Sequence, residues 1–348
     1  MPDNTDQTSL RKKEHIELCL TDEVAFRDKK NGFDNYDFVN YAITEVDLSK
    51  ISFETSFLTK KIKYPFLISC MTGGTPTAEN INTRLAVAAN NLNIALGVGS
   101  QRQALENDEY HSTYRVIRKN APGIPILGNI GASQLVQFES FEPVKYLADL
   151  IEADAMVIHL NPAQELMQKR GEPDFRGLLK KLKKLVKYLD VPIIVKEVGA
   201  GISGLAAQRL LETGVKGIDI AGAGGTTWSG VEILRNNGNS DHQFWDWGLP
   251  TSYCIKEVAK LKKKYKFVLI GSGGIRHGFD VAKALAFGAD MAASARVILQ
   301  TLEKSGVDGV SKLIEEWFET VKYVLFLTGS QTIRQLKNNK LIKKENLY

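Results

Sequence analysis

The chain contains only three cysteines, and no pair of them has a metal-binding spacing. Cys19, Cys70 and Cys254 lie far apart, and an odd number of separated cysteines argues against a disulfide framework. The sequence also lacks an apolar run of membrane-spanning length, and its N-terminus is polar. These absences predict a soluble, cytoplasmic protein with no membrane partner.

An excess of charge of one sign is also missing. The formal net charge is +5 over 348 residues, well short of a nucleic-acid-binding signature, so no nucleic-acid partner is expected. Lysines between residues 180 and 187 alternate with leucines at helical spacing, which predicts the solvated face of an amphipathic helix. An excess of lysine can still help to steer a polyanionic substrate.

The chain is long and apolar enough, at 43% apolar residues, for one large domain. From Pro65 onward an apolar strand, a loop and a helix recur about every 26–35 residues. Eight such repeats without a break in composition predict an α/β fold, a (β/α)8 TIM barrel, rather than a two-domain doubly wound enzyme. The predicted strands are 66–71, 94–98, 125–130, 155–160, 192–198, 217–221, 267–271 and 290–295. The predicted helices are 80–92, 142–152, 175–189, 203–213, 250–264 and 279–287.

The segments outside the repeats have their own predictions. Residues 1–9 are expected to be a disordered tip, and residues 10–348 a single domain. Residues 10–64 form an N-terminal extension, with a helix from Leu10 to Leu20 and a lead-in that closes the bottom of the barrel. Residues 308–328 add a C-terminal helix. Residues 222–249 are predicted to be an irregular binding loop or lid.

The glycines at residues 271–278 follow a buried strand and precede a helix. Backbone N–H groups can approach an anion closely there, and the helix directs its N-terminus at the same point. A second strand over Asp290 to Ala295 opens onto another helix from Arg296. Paired turns of this kind predict the phosphate site of the last two βα loops of a barrel. The alternative is a glycine hinge that packs a helix against a strand.

Polar residues follow nearly every predicted strand at the same end. In this fold the C-terminal ends of the strands carry the chemistry, and burying so many polar groups without a ligand would be costly. The coincidence predicts one ligand site. Its members include Thr72, Ser100, Gln101, Arg102, Asn129, His159, Asn161, Gln164, Glu165, Lys196 and Thr226.

Charged members of this set suggest how anions are held. Lys196 places a positive charge in the barrel mouth, suited to the anionic edge of a reduced flavin. An ion pair with Glu197 is disfavoured because adjacent residues on a strand point to opposite faces. Arg102, together with Arg11 and Lys12, can clamp a diphosphate, although Arg11 and Lys12 alone would be surface charge.

The remaining candidates are mostly neutral. Glu165 can hold Mg²⁺ with substrate phosphates, and Gln164 can orient a substrate but not exchange protons. His159 is predicted to line the site as a hydrogen-bond donor, and His15 to assist the N-terminal clamp. His111, His242 and His277 are assigned surface or loop positions. Cys70 is predicted to be a small core residue, and the tryptophans of 228–247 either cap a substrate or pack the loop.

In order, these motifs resemble the type 2, flavin-dependent isopentenyl-diphosphate isomerases over about Leu10 to Lys343. The resemblance rests on RKxxH at 11–15, MTGG at 71–74, GSQR at 99–102, HLNPAQE at 159–165, KEVG at 196–199, GGTTW at 224–228 and GGIR at 273–276. Each motif is modest alone, and together they are specific.

The resemblance implies bound FMN and a prenyl diphosphate substrate. It assigns FMN to Met71, Thr72, Gly73, Ser100, Asn129, Lys196 and Thr226, and the FMN phosphate to Gly273, Gly274, Arg276, Ala295 and Arg296. It assigns the substrate to Arg11, Lys12, His15, Ser100, Gln101, Arg102 and Gln164. It makes Gln164, His159, Asn161 and Lys196 catalytic and Glu165 the Mg²⁺ ligand. NADPH would serve only to reduce FMN, and a tetramer or octamer is expected.

The implied reaction interconverts isopentenyl and dimethylallyl diphosphate by an allylic proton shift. Protonating an unactivated alkene creates carbocation character, so the pocket must exclude water. No suitable protein acid is evident beside Gln164, so the reduced flavin itself is predicted to supply the acid and the base.

Three other functions remain as alternatives. An FMN-dependent oxidase or dehydrogenase of 2-hydroxy acids would share the phosphate site, but it needs a histidine base near a substrate-binding arginine. His277 follows Arg276 at the phosphate turn instead. An inosinate-type dehydrogenase needs a cysteine after strand six, where Thr226-Thr227-Trp228 has none. A flavin-storing or scaffolding barrel would leave the diphosphate clamp without a use.

Overall fold

The computed structural model describes residues 4–338 and 340–347. Helix α1 spans Asn4–Leu20, so the part of the expected disordered tip that is described, residues 4–9, is helical; residues 1–3 lie outside the described residues. Strand β1 (Tyr36–Phe38) follows, and then a hairpin of β2 (Thr55–Phe57) and β3 (Lys60–Ile62).

The predicted barrel is confirmed. Eight parallel strands form a closed sheet in which the last strand, β11, pairs with the first, β4. They are β4 (Phe66–Ile68), β5 (Ala95–Gly97), β6 (Ile126–Gly131), β7 (Ala155–Leu160), β8 (Ile193–Glu197), β9 (Gly217–Asp219), β10 (Val268–Ser272) and β11 (Met291–Ser294). Several strands, among them β4, β5 and β9, end before the predicted limit.

Helices surround the barrel, and several of them were not among the predicted ones. They are α2 (Pro76–Leu92), α3 (Arg102–Glu106), α4 (Ser112–Asn120), α5 (Ala132–Gln137), α6 (Glu142–Leu150), α7 (Pro162–Met167), α8 (Leu178–Tyr188), α9 (Gly204–Leu211), α10 (Trp228–Arg235), α11 (Thr251–Ala259), α12 (Gly278–Ala286), α13 (Arg296–Leu327) and α14 (Ile333–Leu336). Helix α10 lies inside the segment expected to be irregular. Helix α13 begins at Arg296, as predicted, and runs on through the separately predicted C-terminal helix 308–328, with a break at Gly306, where φ is 68°. Strand β12 (Leu341–Lys343) pairs antiparallel with β1.

Local sequence signals explain the helix limits. Helix α2 begins after Thr75, whose hydroxyl accepts from the Ala78 N–H, and Pro76 occupies its first turn. It ends at Leu92, and Asn93 caps it in the left-handed conformation with φ of 48°. Helix α8 buries Leu182 and Leu185 and turns its lysines outward, as predicted.

The hairpin plugs the bottom of the barrel, which confirms the predicted role of the lead-in. Phe57 and Ile62 are buried with the side chains inside the barrel, among them Leu67, Leu127 and Ile194. Burying each of these two side chains contributes about 1.5–3 kcal/mol. The cavity lies at the other end of the barrel, at the C-terminal ends of its strands. No helix in the described part of the chain is both long and apolar enough to cross a membrane.

Candidate active site

A cavity of about 250 Å³ occupies the mouth of the barrel. The C-terminal ends of all eight strands contribute to its wall, and helix α1 forms a roof through Arg11, Lys12, His15, Ile16 and Cys19. In this single chain, α1 and the barrel mouth that it covers belong to the same polypeptide. Every candidate residue from the sequence lines this cavity except Gln101 and Gly73.

Gln101 and Gly73 lie behind the residues that line the cavity. The Gln101 side chain is fully buried, donates to the Leu147 carbonyl at 2.9 Å and accepts from the Asn129 N–H at 2.9 Å. It therefore braces the end of β6 and is not positioned as a substrate ligand. The Gly73 carbonyl accepts from Lys12, and the Tyr114 ring fills the space where a Cβ would stand.

One end of the cavity has the features of a phosphate site. Gly273 and Gly274 have φ of 101° and 68°, and a Cβ on Gly274 would lie 2.5 Å from the Gly224 carbonyl oxygen. The Arg276 guanidinium donates to that same oxygen at 2.6 Å. The partly buried Arg296 also lines the cavity, and one of its buried nitrogens has no hydrogen-bond partner among the described residues. Its ion-pair contact with Asp22 is long at 3.9 Å. A compact anion such as the FMN phosphate fits this combination.

The floor of the cavity carries a buried ion pair that sequence analysis missed. The Lys196 ammonium lies 2.8 Å from the Asp219 carboxylate on the neighbouring strand. Glu197 points away, as expected, and accepts four consecutive backbone N–H groups from residues 198–201. Burial raises the pKa of Glu197 to about 7 despite these donors.

His159 and Asn129 complete the floor beside Lys196. His159 Nδ1 lies 2.7 Å from Asn129 Oδ1. Burial, and secondarily the charge of Lys196, lowers the pKa of His159 to about 4. The imidazole is therefore neutral at pH 7, which makes it a hydrogen-bonding group rather than a cationic acid.

A second buried carboxylate, Glu232 of α10, joins the roof to the wall. It accepts from His15 Nε2 at 2.9 Å, from Gln164 Nε2 at 3.0 Å and from Arg235 at 2.6 Å. Burial alone would raise the pKa of Glu232, but His15 and the other donors outweigh it and hold the pKa at about 2. Burial lowers the pKa of His15, so a neutral imidazole donates to an ionised carboxylate. Glu232 was missed because it lies in a helix that the sequence did not predict.

The other end of the cavity, after β5, is basic, and β5 lies three strands from β10 around the barrel. Arg11, Lys12 and Arg102 line it together, as the resemblance implied. Lys12 Nζ also donates to the Ser100 carbonyl at 3.2 Å and to the Tyr114 hydroxyl at 3.0 Å. Burial, reinforced by Arg11, lowers the pKa of Lys12 to about 7.

Arg102 of this basic end already forms ion pairs with two carboxylates. Arg102 contacts Glu106 at 3.1 Å and Glu172 at 3.2 Å. Glu172 also accepts from Gln134 at 2.8 Å, and its own N–H donates to Glu165 at 2.8 Å. Glu172 thus connects the basic residue to the predicted metal ligand, a link that the sequence alone did not indicate.

Glu165 lines the cavity from the first turn of α7. Its carboxylate also accepts from Asn161 Nδ2 at 2.9 Å. Over the described residues, no cluster of three or more histidine, cysteine or acidic side chains could hold a metal ion. A single carboxylate suits Mg²⁺, which retains water and can be completed by substrate phosphates.

The remaining aromatic and histidine predictions had mixed outcomes. His111 is buried against the Ala104 carbonyl at 2.9 Å rather than lying at the surface. His277 caps α12 and His242 is exposed in a loop, as expected. Trp228 lines the cavity and meets the His15 ring edge-on at 5.1 Å between centroids, whereas the other loop tryptophans lie elsewhere.

Comparison with known proteins agrees with this site. A family profile described as FMN-dependent dehydrogenase matches residues 6–110 and 132–343. The isopentenyl-diphosphate delta-isomerase of Chlorobium limicola is 44% identical over 347 residues, covering 96% of each chain. That of Nostoc sp. is 44% identical over 337 residues, covering 96% of this chain and 95% of its own.

Solved structures with the same fold are more distant in sequence. A lactate oxidase from Pediococcus acidilactici superposes with a TM-score of 0.70 at 17% identity, covering 97% of this chain and 94% of its own. A flavocytochrome b2 variant superposes with a TM-score of 0.69 at 19% identity, covering 94% of this chain and 82% of its own. These likenesses establish the fold, whereas the full-length identity near 44% establishes the family. The chain belongs to the FMN-dependent, type 2 isopentenyl-diphosphate delta-isomerases.

Proposed function

We propose that this enzyme interconverts isopentenyl and dimethylallyl diphosphate with reduced FMN and Mg²⁺. The observation that carries the proposal is one cavity with two separate anion-holding ends. A glycine cradle with Arg276 and Arg296 lies at one end, and Arg11, Lys12 and Arg102 lie at the other. A flavin phosphate and a substrate diphosphate need two such ends, with the reacting atoms between them.

The residues present fit FMN. Gly273 and Gly274 suit its phosphate, together with the Arg296 nitrogen that makes no hydrogen bond to the described residues. Met71, Thr72, Ser100, Asn129, Lys196 and Thr226 would hold the ring and ribityl chain. When bound and reduced, FMN supplies the acid and the base for the proton shift. NADPH is proposed as the source of reducing equivalents.

The basic end would hold the substrate diphosphate. Arg102 can exchange its carboxylate partners for phosphate oxygens, and Glu165 would bind them through Mg²⁺. Gln164, fixed by Glu232 at 3.0 Å, would face the alkene without exchanging protons. Helix α1 covers the mouth, which excludes water from a cationic transition state.

The protein groups at the centre favour proton exchange by the cofactor. Isomerisation adds a proton to the terminal alkene carbon and removes another from the C2 methylene. His159 and His15 are neutral, and Glu232 has a pKa of about 2. None of the three is a strong acid holding a proton at pH 7, so they position the reactants and polarise the cavity.

An anaerobic NMR experiment tests the proposal. Enzyme with FMN, Mg²⁺ and dithionite would receive isopentenyl diphosphate in D₂O. Dimethylallyl diphosphate carrying deuterium should form only when the flavin is reduced. No conversion, together with flavin reduction by a 2-hydroxy acid in a parallel cuvette, would instead establish an oxidase or dehydrogenase.

Two further proposals concern assembly and location. We propose a homo-oligomer, a tetramer or an octamer, which light scattering of the FMN-loaded protein would measure. We also propose that the enzyme works in the cytoplasm, where NADPH is at hand, and cell fractionation would test this.

A further inference from the structure

The ion pair in the cavity floor is deeply buried. The side chains of Lys196 and Asp219 are 9% and 2% exposed, and they face each other in register on β8 and β9. Ser272 on the next strand, β10, donates its hydroxyl to the second carboxylate oxygen of Asp219 at 2.5 Å. Three adjacent strands thus fix one carboxylate behind the lysine.

The two charges differ in their access to the cavity. Lys196 and Ser272 line it, whereas Asp219 does not. Lys196 therefore borders the cavity, and the carboxylate lies 2.8 Å from its ammonium without reaching the cavity. Whatever binds above Lys196 meets a positive charge that has a negative charge directly behind it.

The other groups around Lys196 are uncharged at neutral pH. His159, its partner in register on β7, is neutral because burial lowers its pKa to about 4. Cys70 stays a thiol because burial raises its pKa to about 11. Asp219 is therefore the negative charge that balances Lys196 in this part of the cavity.

A buried ion pair is an expensive way to hold strands together, since well-packed apolar side chains often stabilise as much. An electrostatic role accounts better for its place under the cavity. Reduction of a flavin at pH 7 adds negative charge to its ring, and a fixed positive charge favours that change. A carboxylate behind the lysine opposes it.

We propose that Asp219 is a positioning residue that sets the reduction potential of bound FMN by balancing Lys196. The proposal rests on the FMN placement given above. Asp219 keeps the ammonium fixed in the floor and limits how strongly it stabilises the reduced cofactor. Ser272 holds the carboxylate in this orientation.

The test is the midpoint potential of bound FMN, measured by equilibration with a reference dye under anaerobic conditions. Asp219→Asn keeps the size and removes the charge. Its potential should rise by about 30 mV or more, which is a tenfold change in the two-electron reduction equilibrium. Asp219→Ser, which leaves room for water beside Lys196, should shift the potential in the same direction if Asp219→Asn does not fold.

Asp154→Asn is the matched control. Asp154 also pairs with a lysine, Lys60, at 2.8 Å, but it does not line the cavity. Its removal should leave the potential unchanged. A folded, FMN-loaded Asp219 variant with an unchanged or lower potential would overturn the inference. Wild-type protein that binds no FMN would instead refute the proposed function.

Discussion

Replacing Glu232 by glutamine should destabilise the enzyme strongly, although the change removes no volume. The carboxylate is fully buried, and one oxygen accepts from both His15 and Gln164 while the other accepts from Arg235. An amide has an acceptor on one side and a donor on the other. In Glu232→Gln the new NH₂ group must face either the guanidinium or two other donors.

The expected loss follows from the pKa of Glu232. It is held at about 2 against an ordinary value of 4.5, which corresponds to about 3 kcal/mol of native-state stability at pH 7. Breaking a buried ionic pair typically costs about 3–5 kcal/mol. We therefore expect Glu232→Gln to lower the free energy of unfolding by about 3 kcal/mol.

Urea unfolding at equal FMN concentrations measures this loss. Glu14→Gln is the control, since Glu14 contacts the same Arg235 at 2.7 Å but is 39% exposed; it should cost at most about 1 kcal/mol. Because folding lowers the pKa of Glu232, its contribution is complete above pH 4.5 and is lost as pH falls towards 2. The gap between wild type and Glu232→Gln should therefore narrow over that range. Equal losses for the two variants, or a gap that widens in acid, would refute the reasoning.

Three other variants or conditions probe the two anion-holding ends. Gly274→Ala should weaken FMN binding at least about tenfold, because φ there is 68° and a Cβ would clash with the backbone. Gly123→Ala is the control and should bind FMN normally, since a Cβ there would have no atom within 4 Å. Calorimetric titration with FMN compares the two variants. The pKa of Lys12 is about 7 before an anion binds, so pyrophosphate binding at pH 8 should be accompanied by uptake of a proton. Calorimetry would detect this as a binding heat that depends on the ionisation enthalpy of the buffer. A binding heat independent of the buffer would contradict a contact with Lys12. Glu172→Gln should tighten pyrophosphate binding about fivefold, because the half-buried Glu172 carboxylate competes for Arg102 with a free energy of about 1 kcal/mol. Weaker binding would mean that Glu172 orients the arginine instead.

The barrel could be predicted because its signals are local. Ala155–Leu160 was predicted to the residue, since a buried parallel strand is an apolar run bounded by polar residues. The phosphate turn followed from glycines next to a strand and a helix. Positions at strand ends converge in any such barrel, so most candidate residues reached the cavity.

The partners of those residues could not be predicted in the same way. Asp219 lies inside an apolar strand, and only the closed sheet shows that it faces Lys196. Gln101 belongs to a motif that suggested substrate binding, but its side chain is buried behind the cavity lining. The contact of His15 with Glu232 joins residues 217 positions apart. No local pattern encodes such pairs.

The roof of the cavity has a consequence for how the protein is made. Helix α1 leaves the ribosome before the barrel, yet it packs against α10 and α13, which follow much later. At a translation rate of about 5–20 residues per second, Glu232 is synthesised roughly 10–40 s after His15. During that interval α1 lacks its contacts with α10 and α13. The roof over the cavity can therefore be completed only after α13 has been translated.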